Sequence, residues 1–522
     1  MNRHGQAGFI IPPMLLLLVL QSVHLARAQT ENPPTRRFSR TAWIIQHMRD
    51  VRISGGVIGV LRRPPGTRFP ADEERVDGPP SLKPRSIVRA DIGTTTPVQV
   101  SEDLLPTDVL AQAATHAEPY LDANPSNPSN LSGGWQENRF PDNIAGARAL
   151  SYGTSFDLGQ TWTANLIPGL TKIDGGVWDR ASDPWVAFGP NNQVYFSSLV
   201  FDEGAPDNGI DVSVSTDGGM TWSGPVEAFH TAVNFSDKDA VTVDTFPASP
   251  HFGNVYVSWD LNIGTKNKQW VMVARSTDGG ATYGTPVRVQ KKGPSNIGAI
   301  PRVGPDGTVY LVWMGTGGHC GNVFLMSDST DGGQTWTRSR LIGDDCPAGE
   351  RKLRTGDGLP SFAIDPESGF LYVAWQDGSL AGTGQAALIV SKDKGATWSA
   401  PARVSDGPVD APAFTIAVAV SPGGQVAVSY YSLRNDPQRR FLADEYVSVS
   451  MDGGETFLPA VRATPTSFDV RLAAHADGGL FLGDYQGLVE SAGKFHLLWV
   501  NTGIPSLITG SPEPEVLFSS TR

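Results

Sequence analysis

The sequence predicts an all-β protein made from one four-stranded unit that is repeated along the chain. One eight-residue turn pattern recurs six times at intervals of about 60 residues, with stretches typical of short β-strands on both sides. The 522 residues include 58 Gly and 40 Pro, which suits many short strands joined by turns. A regular repeat of this kind favours one large repeat domain over several small ones.

The repeated pattern is Ser-x-Asp-x-Gly-x-Thr followed by an aromatic residue. Its six copies begin at Ser155, Ser215, Ser276, Ser329, Ser391 and Ser450. Serine and aspartate side chains accept hydrogen bonds from nearby backbone N–H groups, and glycine allows a positive φ. The aromatic side chain then covers the turn with apolar surface. The pattern therefore predicts a compact, locally determined turn.

The strand pattern places this turn between the third and fourth strands of each unit. In the fifth unit, strand-like runs at 359–364, 371–376 and 386–391 precede the turn, and a run at 401–404 follows it. Four antiparallel strands per repeat are typical of a propeller blade. The six turns therefore indicate at least six blades.

The two ends of the array indicate a seventh blade. Runs at 482–488, 495–500 and 515–519 read as three strands that follow the sixth turn, with neither a turn pattern nor a fourth strand. Residues 96–102 match the fourth-strand pattern and can complete this unit from the N-terminal side. Such pairing closes a propeller and removes its exposed edges. We predict a seven-bladed β-propeller; the alternative has six blades, with the C-terminal strands packed elsewhere.

The turn pattern is the Asp-box, and the chain resembles the sialidase-like (neuraminidase superfamily) Asp-box or BNR-repeat β-propellers. The resemblance implies that the boxes are architectural and lie at blade rims, away from any active site. Ligand sites are expected on the opposite face, where the fourth-to-first and second-to-third loops open.

The N-terminus predicts export. Arg3 and His4 precede an apolar run at 9–20, and Ala26-Arg27-Ala28 is typical of a signal-peptidase site. We therefore assign residues 1–28 to a signal peptide, cleaved after Ala28, and 94–522 to the propeller. Residues 29–93 are basic and proline-rich, and we interpret them as a partly disordered linker or pro-segment. The predicted location is secreted or periplasmic.

The net charge limits the classes of binding partner, and the two cysteines allow one disulfide. The formal net charge is −12, which argues against a nucleic-acid partner because phosphate binding needs a basic surface. We expect no membrane span and no cofactor. We also expect the protein to be a monomer. The histidines show no metal-ligand spacing, so no metal is predicted. In an exported protein Cys320 and Cys346 can form a disulfide; the alternative is two unpaired thiols.

Acidic residues recur where the innermost strands begin. They are Glu118, Asp183, Asp237, Asp239, Asp357, Asp410 and Asp484. One interpretation is an acidic ring at the channel mouth that binds a cation or a polyhydroxyl ligand. The other is that Asp before Pro, Gly or Ala caps turns. Arg302 and Arg354 are further candidate ligand-binding residues on the channel side.

The resemblance also implies catalytic residues. Sialidases bind the substrate carboxylate with three arginines and attack with a Tyr that a Glu activates, while an Asp acts as acid/base. Tyr485, in Asp484-Tyr485-Gln486-Gly487-Leu488, looks like the nucleophile, and Asp142 looks like the acid/base. Asp357 stands where the activating Glu is expected. The three-arginine clamp has no counterpart at the expected positions, where Glu118 and Gln376 stand instead.

Three functions remain open. The first is a carbohydrate-directed, sialidase-like propeller that cleaves glycosides at a non-standard site. The second is an exo-α-sialidase with a rearranged arginine clamp. The third is a non-catalytic propeller that binds a glycan or a protein, because the architecture does not specify a reaction.

Overall fold

The structure is a computed structural model. It describes residues 92–106, 110–141, 145–203, 206–263, 268–290, 295–350, 352–506 and 508–522. The predicted signal peptide, nearly all of the segment 29–93, and Asp142 lie outside these ranges. Within them the protein is built from β-strands, with two 3-10 helices at Lys172–Asp174 and Val470–Leu472, so the all-β prediction is confirmed. No helix in this part of the chain is long and apolar enough to cross a bilayer.

The strands follow one another in groups of four. In chain order the first thirteen are β1 (Val98–Gln99), β2 (His116–Ala123), β3 (Leu131–Arg139), β4 (Ala147–Ser155), β5 (Thr163–Leu166), β6 (Arg180–Phe188), β7 (Val194–Phe201), β8 (Asn208–Ser215), β9 (Val226–Thr231), β10 (Phe235–Val243), β11 (Val255–Ile263), β12 (Lys268–Ser276) and β13 (Val287–Arg288). The strands β2–β5, β6–β9 and β10–β13 form three antiparallel units, each paired in chain order.

The next groups repeat this order. They contain β14 (Asn296–Val303), β15 (Val309–Gly317), β16 (Gly321–Ser329), β17 (Arg340–Asp345), β18 (Leu353–Arg354), β19 (Ser361–Ile364), β20 (Leu371–Asp377), β21 (Gln385–Ser391), β22 (Ala402–Arg403), β23 (Ala413–Val420), β24 (Val426–Ser432), β25 (Leu442–Ser450) and β26 (Val461–Arg462). The strands β14–β17, β19–β22 and β23–β26 form three more four-stranded units, and β18 lies outside them.

The last group takes its fourth strand from the other end of the chain. It follows β27 (Phe468–Asp469), β28 (Ala474–Ala476) and β29 (Gly479–Phe481), and contains β30 (Gly487–Ser491), β31 (Lys494–Pro505) and β32 (Pro512–Ser520). The outer strand β1 pairs antiparallel with β32, with Val98 opposite Phe518 and Gln99 opposite Leu517. The N-terminal strand thereby covers the edge that β32 would otherwise expose.

The first strands of the groups surround one axis. Each first strand contacts the first strand of the next group, in the order β2, β6, β10, β14, β19, β23 and β30. The last of these, β30, contacts β2 and closes the ring. Five second strands each carry a fully buried tryptophan, namely Trp135, Trp259, Trp313, Trp375 and Trp499. Large aromatic side chains of this kind fill the space between neighbouring sheets. The core therefore lies between the sheets, and the axis is lined by the first strands.

The six repeated turns share one hydrogen-bond pattern. In the first, the Ser155 hydroxyl donates to Asp157 Oδ1 (2.8 Å), and the Gly159 N–H donates to Ser155 Oγ (2.8 Å). The Thr161 hydroxyl donates to Asp157 Oδ2 (2.7 Å). The same three bonds recur at the turns that begin at Ser215, Ser276, Ser329, Ser391 and Ser450. The side chains of each pattern therefore hold its own turn.

A disulfide joins Cys320, between β15 and β16, to Cys346, which follows β17. Their Cα atoms are 4.9 Å apart. The bond ties the segment after β17 to the hairpin before it.

Candidate functional site

A β-bulge interrupts the pairing of five first strands near the end where each strand begins. The pairing shifts between Ala117 and Tyr120 in β2, and at the corresponding places in β6, β10, β14 and β23. The bulged residues are Glu118, Asp183, Lys238, Gly298 and Thr415, with φ values of 54°, 52°, 50°, 71° and 52°. A non-glycine residue in this left-handed region is strained, and bulges of this kind redirect side chains.

Three of these bulges meet at one ammonium group. Lys238 Nζ donates to Glu118 Oε1 (3.0 Å) and Asp183 Oδ1 (2.8 Å), and lies 2.7 Å from Asp484 Oδ2. All four side chains are buried. Burying charges is expensive unless they are paired, so the contacts with Lys238 offset the cost of burying these three acids. We call Glu118, Asp183, Lys238 and Asp484 the Lys238 cluster.

Two arginines extend the Lys238 cluster. Arg354 Nε donates to Asp484 Oδ1 (2.9 Å), and its Nη2 bonds Oδ2 of the same carboxylate, a bidentate geometry. Arg354 is held in β18, which pairs in parallel with β29 so that Arg354 stands opposite Phe481. Arg139 Cζ lies 4.2 Å from the centre of the Phe481 ring, and Arg354 Cζ lies 4.5 Å from it. The Phe481 ring therefore contacts both buried guanidinium groups.

The environment drives apart the pKa values of the two acids Glu118 and Asp484. Burial raises the pKa of Glu118 to about 6, although Lys238 opposes the shift. Burial acts in the same direction on Asp484, but Arg354 and Lys238 outweigh it and hold the pKa of that carboxyl well below its usual range. Near pH 6 both the protonated and the ionised form of Glu118 are therefore populated beside an ionised Asp484.

Tyr485 follows Asp484 in the chain and lines the same part of the channel as Lys238. Its hydroxyl donates to the carbonyl oxygen of Pro184 (3.0 Å) rather than to a carboxylate. Burial, together with the charges of Glu118 and Asp183, raises the pKa of Tyr485 well above its ordinary value. The hydroxyl is therefore protonated at neutral pH. Its position fits the predicted site, but no described acid accepts its proton.

Aromatic side chains surround Tyr485. Trp185 makes an edge contact with it at 5.2 Å between ring centroids, and Tyr120 stacks on Trp185 at 3.7 Å. Arg302 Nη2 donates to the Tyr120 hydroxyl (2.6 Å). The structure thus places Arg302 further along the channel than the Lys238 cluster, in contact with its aromatic wall.

Asp357 and Asp410, which were also predicted as site residues, lie away from the Lys238 cluster. Asp357 is buried in a second acidic group, where burial and then Asp345 raise its pKa, and it accepts a bond from the Ala348 N–H (3.2 Å). Asp410 is 71% exposed, and its nearest cation is Arg439, at 3.7 Å. The predicted acidic ring is therefore corrected at Asp410, because a surface turn carries this residue and Thr415 occupies the bulge of its sheet.

Lys238, the centre of the cluster, was not among the site residues predicted from the sequence. A lysine between Asp237 and Asp239 at the start of a buried strand is a signal that could have found it, because a buried lysine needs carboxylate partners. Arg139, the last residue of β3, was not predicted either. It reaches the cluster because its Nη1 donates to Gln136 Oε1 (2.5 Å), and Gln136 bonds Glu118.

Two cavities follow the axis. A small one of about 50 Å³ is lined by Lys238, Asp239, Asp484 and Tyr485, among others. A larger one of about 680 Å³ lies around the far ends of the first strands. The two share a wall made by Tyr120, Arg302, Phe362, Val418 and Leu488. The Lys238 cluster therefore lies at one end of the axis, and the wide cavity lies toward the other.

No family model and no curated protein matches the chain. Solved structures similar to it include the Hadza microbial sialidase Hz136, at 14% identity and a TM-score of 0.44, covering 82% of this chain and 98% of that one. The Trypanosoma rangeli sialidase in complex with sialic acid shows 12% identity and a TM-score of 0.41, covering 83% and 59%. An α-L-arabinanase of Penicillium chrysogenum complexed with arabinobiose shows 14% identity and a TM-score of 0.43, and the match covers 81% of this chain and 98% of that one.

Proposed function

We propose that the protein is an exported, carbohydrate-directed, sialidase-like propeller of seven blades that cleaves glycosides at the Lys238 cluster. The six Asp-box turns and the seven four-stranded groups around one axis support the architecture. One observation carries the chemistry: Glu118 and Asp484 bind the same ammonium while their pKa values are shifted in opposite directions. Pairs of acids separated in this way are typical of acid/base catalysis.

In this proposal Glu118 is the proton donor. With a pKa of about 6 it can protonate the oxygen of the leaving group near neutral pH. Asp484 stays ionised and stabilises the positive charge that develops on the sugar, or attacks it directly. Arg354 and Lys238 hold Asp484 in place. Asp183 is the third acid of the Lys238 cluster, and in this proposal it also faces the ligand. Arg302 and Tyr485 contact the ligand from deeper in the channel.

The experiment is a panel of chromogenic aryl glycosides, including a sialoside, a galactoside and an arabinofuranoside. We expect turnover of at least one substrate, and a loss of about 10²–10⁴-fold in kcat for Glu118→Gln. Asp410→Asn is the matched control, because it changes an exposed acid outside the cluster, and should leave the rate unchanged. Turnover that survives both Glu118→Gln and Asp484→Asn would place the reaction elsewhere.

Exo-α-sialidase activity with a rearranged clamp is the alternative within the same site. There Tyr485 would attack the anomeric carbon, with Asp142 as acid/base and Asp357 as the activating carboxylate. Tyr485→Phe tests it, because it removes only the hydroxyl. Loss of sialoside cleavage in Tyr485→Phe, with Glu118→Gln still active, would favour the tyrosine scheme over the carboxylate scheme.

A non-catalytic glycan-binding role is the second candidate, and one observation favours it. The cavity beside the cluster measures about 50 Å³, well below the roughly 300 Å³ of small ligand pockets. A sugar would therefore not fit into the cavity beside the cluster, and the larger cavity of about 680 Å³ lies toward the other end of the axis. Binding on a glycan array without turnover of any aryl glycoside would establish this role and reject the enzyme.

Export after cleavage at Ala28 and a monomeric state complete the proposal. The basic segment that follows the signal peptide would then form the mature N-terminus. N-terminal sequencing of protein recovered outside the cytoplasm, combined with light scattering, tests both points. A first residue other than Gln29, or a dimer mass, would require revision.

A further inference from the structure

We propose that the small channel cavity binds a hydrated calcium ion through Asp239, with Gln376 and Gln486 as facing oxygen ligands. The proposed ligands are not members of the acid pair, although Asp484 lines the same cavity, and the proposal does not depend on glycoside cleavage.

Asp239 is the first observation. Its side chain lines the cavity and is 2% exposed. Among the described residues neither of its carboxyl oxygens has a hydrogen-bond partner, and no cation forms an ion pair with it. Burial, followed by the charge of Asp183, raises the pKa of Asp239 well above its ordinary value. The Ser197 hydroxyl acts in the opposite direction, but it does not form a hydrogen bond with Asp239. A buried carboxyl with two unused oxygens is costly unless a donor or a cation reaches it.

Two amide groups provide the second observation. Gln376 and Gln486 line the same cavity, and both are 2% exposed. Gln376 Nε2 donates to the Ala348 carbonyl oxygen (3.2 Å), and Gln486 Nε2 donates to Ser429 Oγ (3.0 Å) and Glu445 Oε1 (2.9 Å). These bonds fix which end of each amide is nitrogen. The two remaining amide oxygens have no hydrogen-bond partner among the described residues.

The cavity therefore has unused acceptors on several sides. Its neighbouring cations are already engaged, because Lys238 binds Glu118, Asp183 and Asp484 while Arg302 donates to Tyr120. What the cavity lacks is positive charge or donors for Asp239 and the two amides. A volume of about 50 Å³ holds an ion with two or three waters, because about 10–15 Å³ of such volume is enough for one water.

The ligand chemistry selects the ion. Carboxylate and amide oxygens, with neither nitrogen nor sulfur, suit a hard cation. Calcium accepts amide oxygens and irregular geometry, whereas magnesium requires a nearly ideal octahedron and gives up its water reluctantly. Calcium is also available to exported proteins, whose sites bind it with dissociation constants of about 10⁻⁴–10⁻³ M.

The test uses terbium as a luminescent substitute for calcium. Trp185 lines the cavity, so tryptophan excitation should sensitise emission from terbium bound there. In chelator-treated protein we expect emission that calcium displaces, and calorimetric calcium binding with one site. Asp239→Asn should weaken both by at least about tenfold, whereas Asp410→Asn should leave both unchanged.

Trp185→Phe keeps the test decisive if Asp239→Asn fails to fold. It removes the sensitiser and leaves the proposed ligands in place, so calorimetric binding should persist while the terbium emission is lost. Unchanged emission in this variant would place the ion elsewhere and overturn the proposal. So would the absence of calorimetric binding in the wild-type protein up to about 10 mM calcium, or Asp239→Asn binding like the wild type.

Discussion

Gly159, in the first Asp-box turn, lies directly against the ring of Phe518 in β32. A Cβ added to Gly159 would stand 2.0 Å from Phe518 Cε1, and its φ is +80°. The corresponding glycines Gly219, Gly280 and Gly333 face Thr154, Tyr195 and Tyr256 of the preceding four-stranded unit in the same way. Each box therefore packs its glycine onto the neighbouring unit, and at Gly159 this contact joins the first unit to the last.

Gly159→Ala is therefore expected to destabilise the protein by about 2–4 kcal/mol, as the sum of a left-handed backbone penalty and overpacking. Gly175→Ala is the matched control, since Gly175 also has a positive φ (93°) but no heavy atom within 4 Å of its virtual Cβ. It should cost only about 1–2 kcal/mol. Urea unfolding measures both, and equal losses would show that the contact with Phe518 is unimportant.

Lys238→Met is expected to destabilise the protein by about 3–5 kcal/mol, because it leaves the buried carboxylates of Glu118 and Asp183 without their cation. Lys392→Met removes a lysine whose side chain is 52% exposed, paired with Glu455 at 2.9 Å, and should change stability by less than about 1 kcal/mol. Chemical denaturation at pH 7 checks both. Similar small losses in the two variants would mean that the buried ion pairs of Lys238 contribute little to stability.

Glu118 should give stability a specific pH dependence. Its pKa is raised from 4.5 to about 6 by burial, so between these values the folded protein binds more protons than the unfolded chain. Its contribution is therefore full below about pH 4.5 and is lost as the pH rises to about 6, with a total near 2 kcal/mol. The difference in unfolding free energy between wild type and Glu118→Gln should fall by this amount over that window. Parallel pH profiles would contradict the shift.

The disulfide between Cys320 and Cys346 should contribute about 3 kcal/mol, because it closes a loop with a sequence separation of 26 residues. The double variant Cys320→Ser/Cys346→Ser should lose this stability in urea. Reductant should destabilise the wild type by the same amount and leave the double variant unaffected. A reductant effect on the double variant would point to another cause.

Much of the fold could be predicted from the sequence because it depends on short-range chemistry. In each Asp-box the bonds join residues no more than four positions apart, as from Gly159 to Ser155, so the pattern of residues alone indicates the turn. Strand periods and turn signals also predicted the order of the groups, including a last group with three strands from the C-terminal end of the chain. The pairing of β1 with β32 required only that an unpaired edge be covered.

The candidate site was harder to predict because its members are far apart in the chain. Acids at the starts of the first strands were visible, and Glu118, Asp183 and Asp484 do meet. Which acids meet, and which cation holds them, depends on the bulges, whose positive φ is not apparent from residue type at Lys238. Asp410 has the same sequence context of a turn before a strand, yet it remains at the surface.

The sequence by itself determined the repeated turn and the four-stranded unit, because each follows from neighbouring residues. Only the tertiary structure decided that Arg354 binds Asp484, 130 positions away, and that the glycine of each box packs on the preceding unit. It also decided that Asp239 faces a cavity without a partner among the described residues. These outcomes depend on how the sheets pack around the axis, which local preferences do not specify.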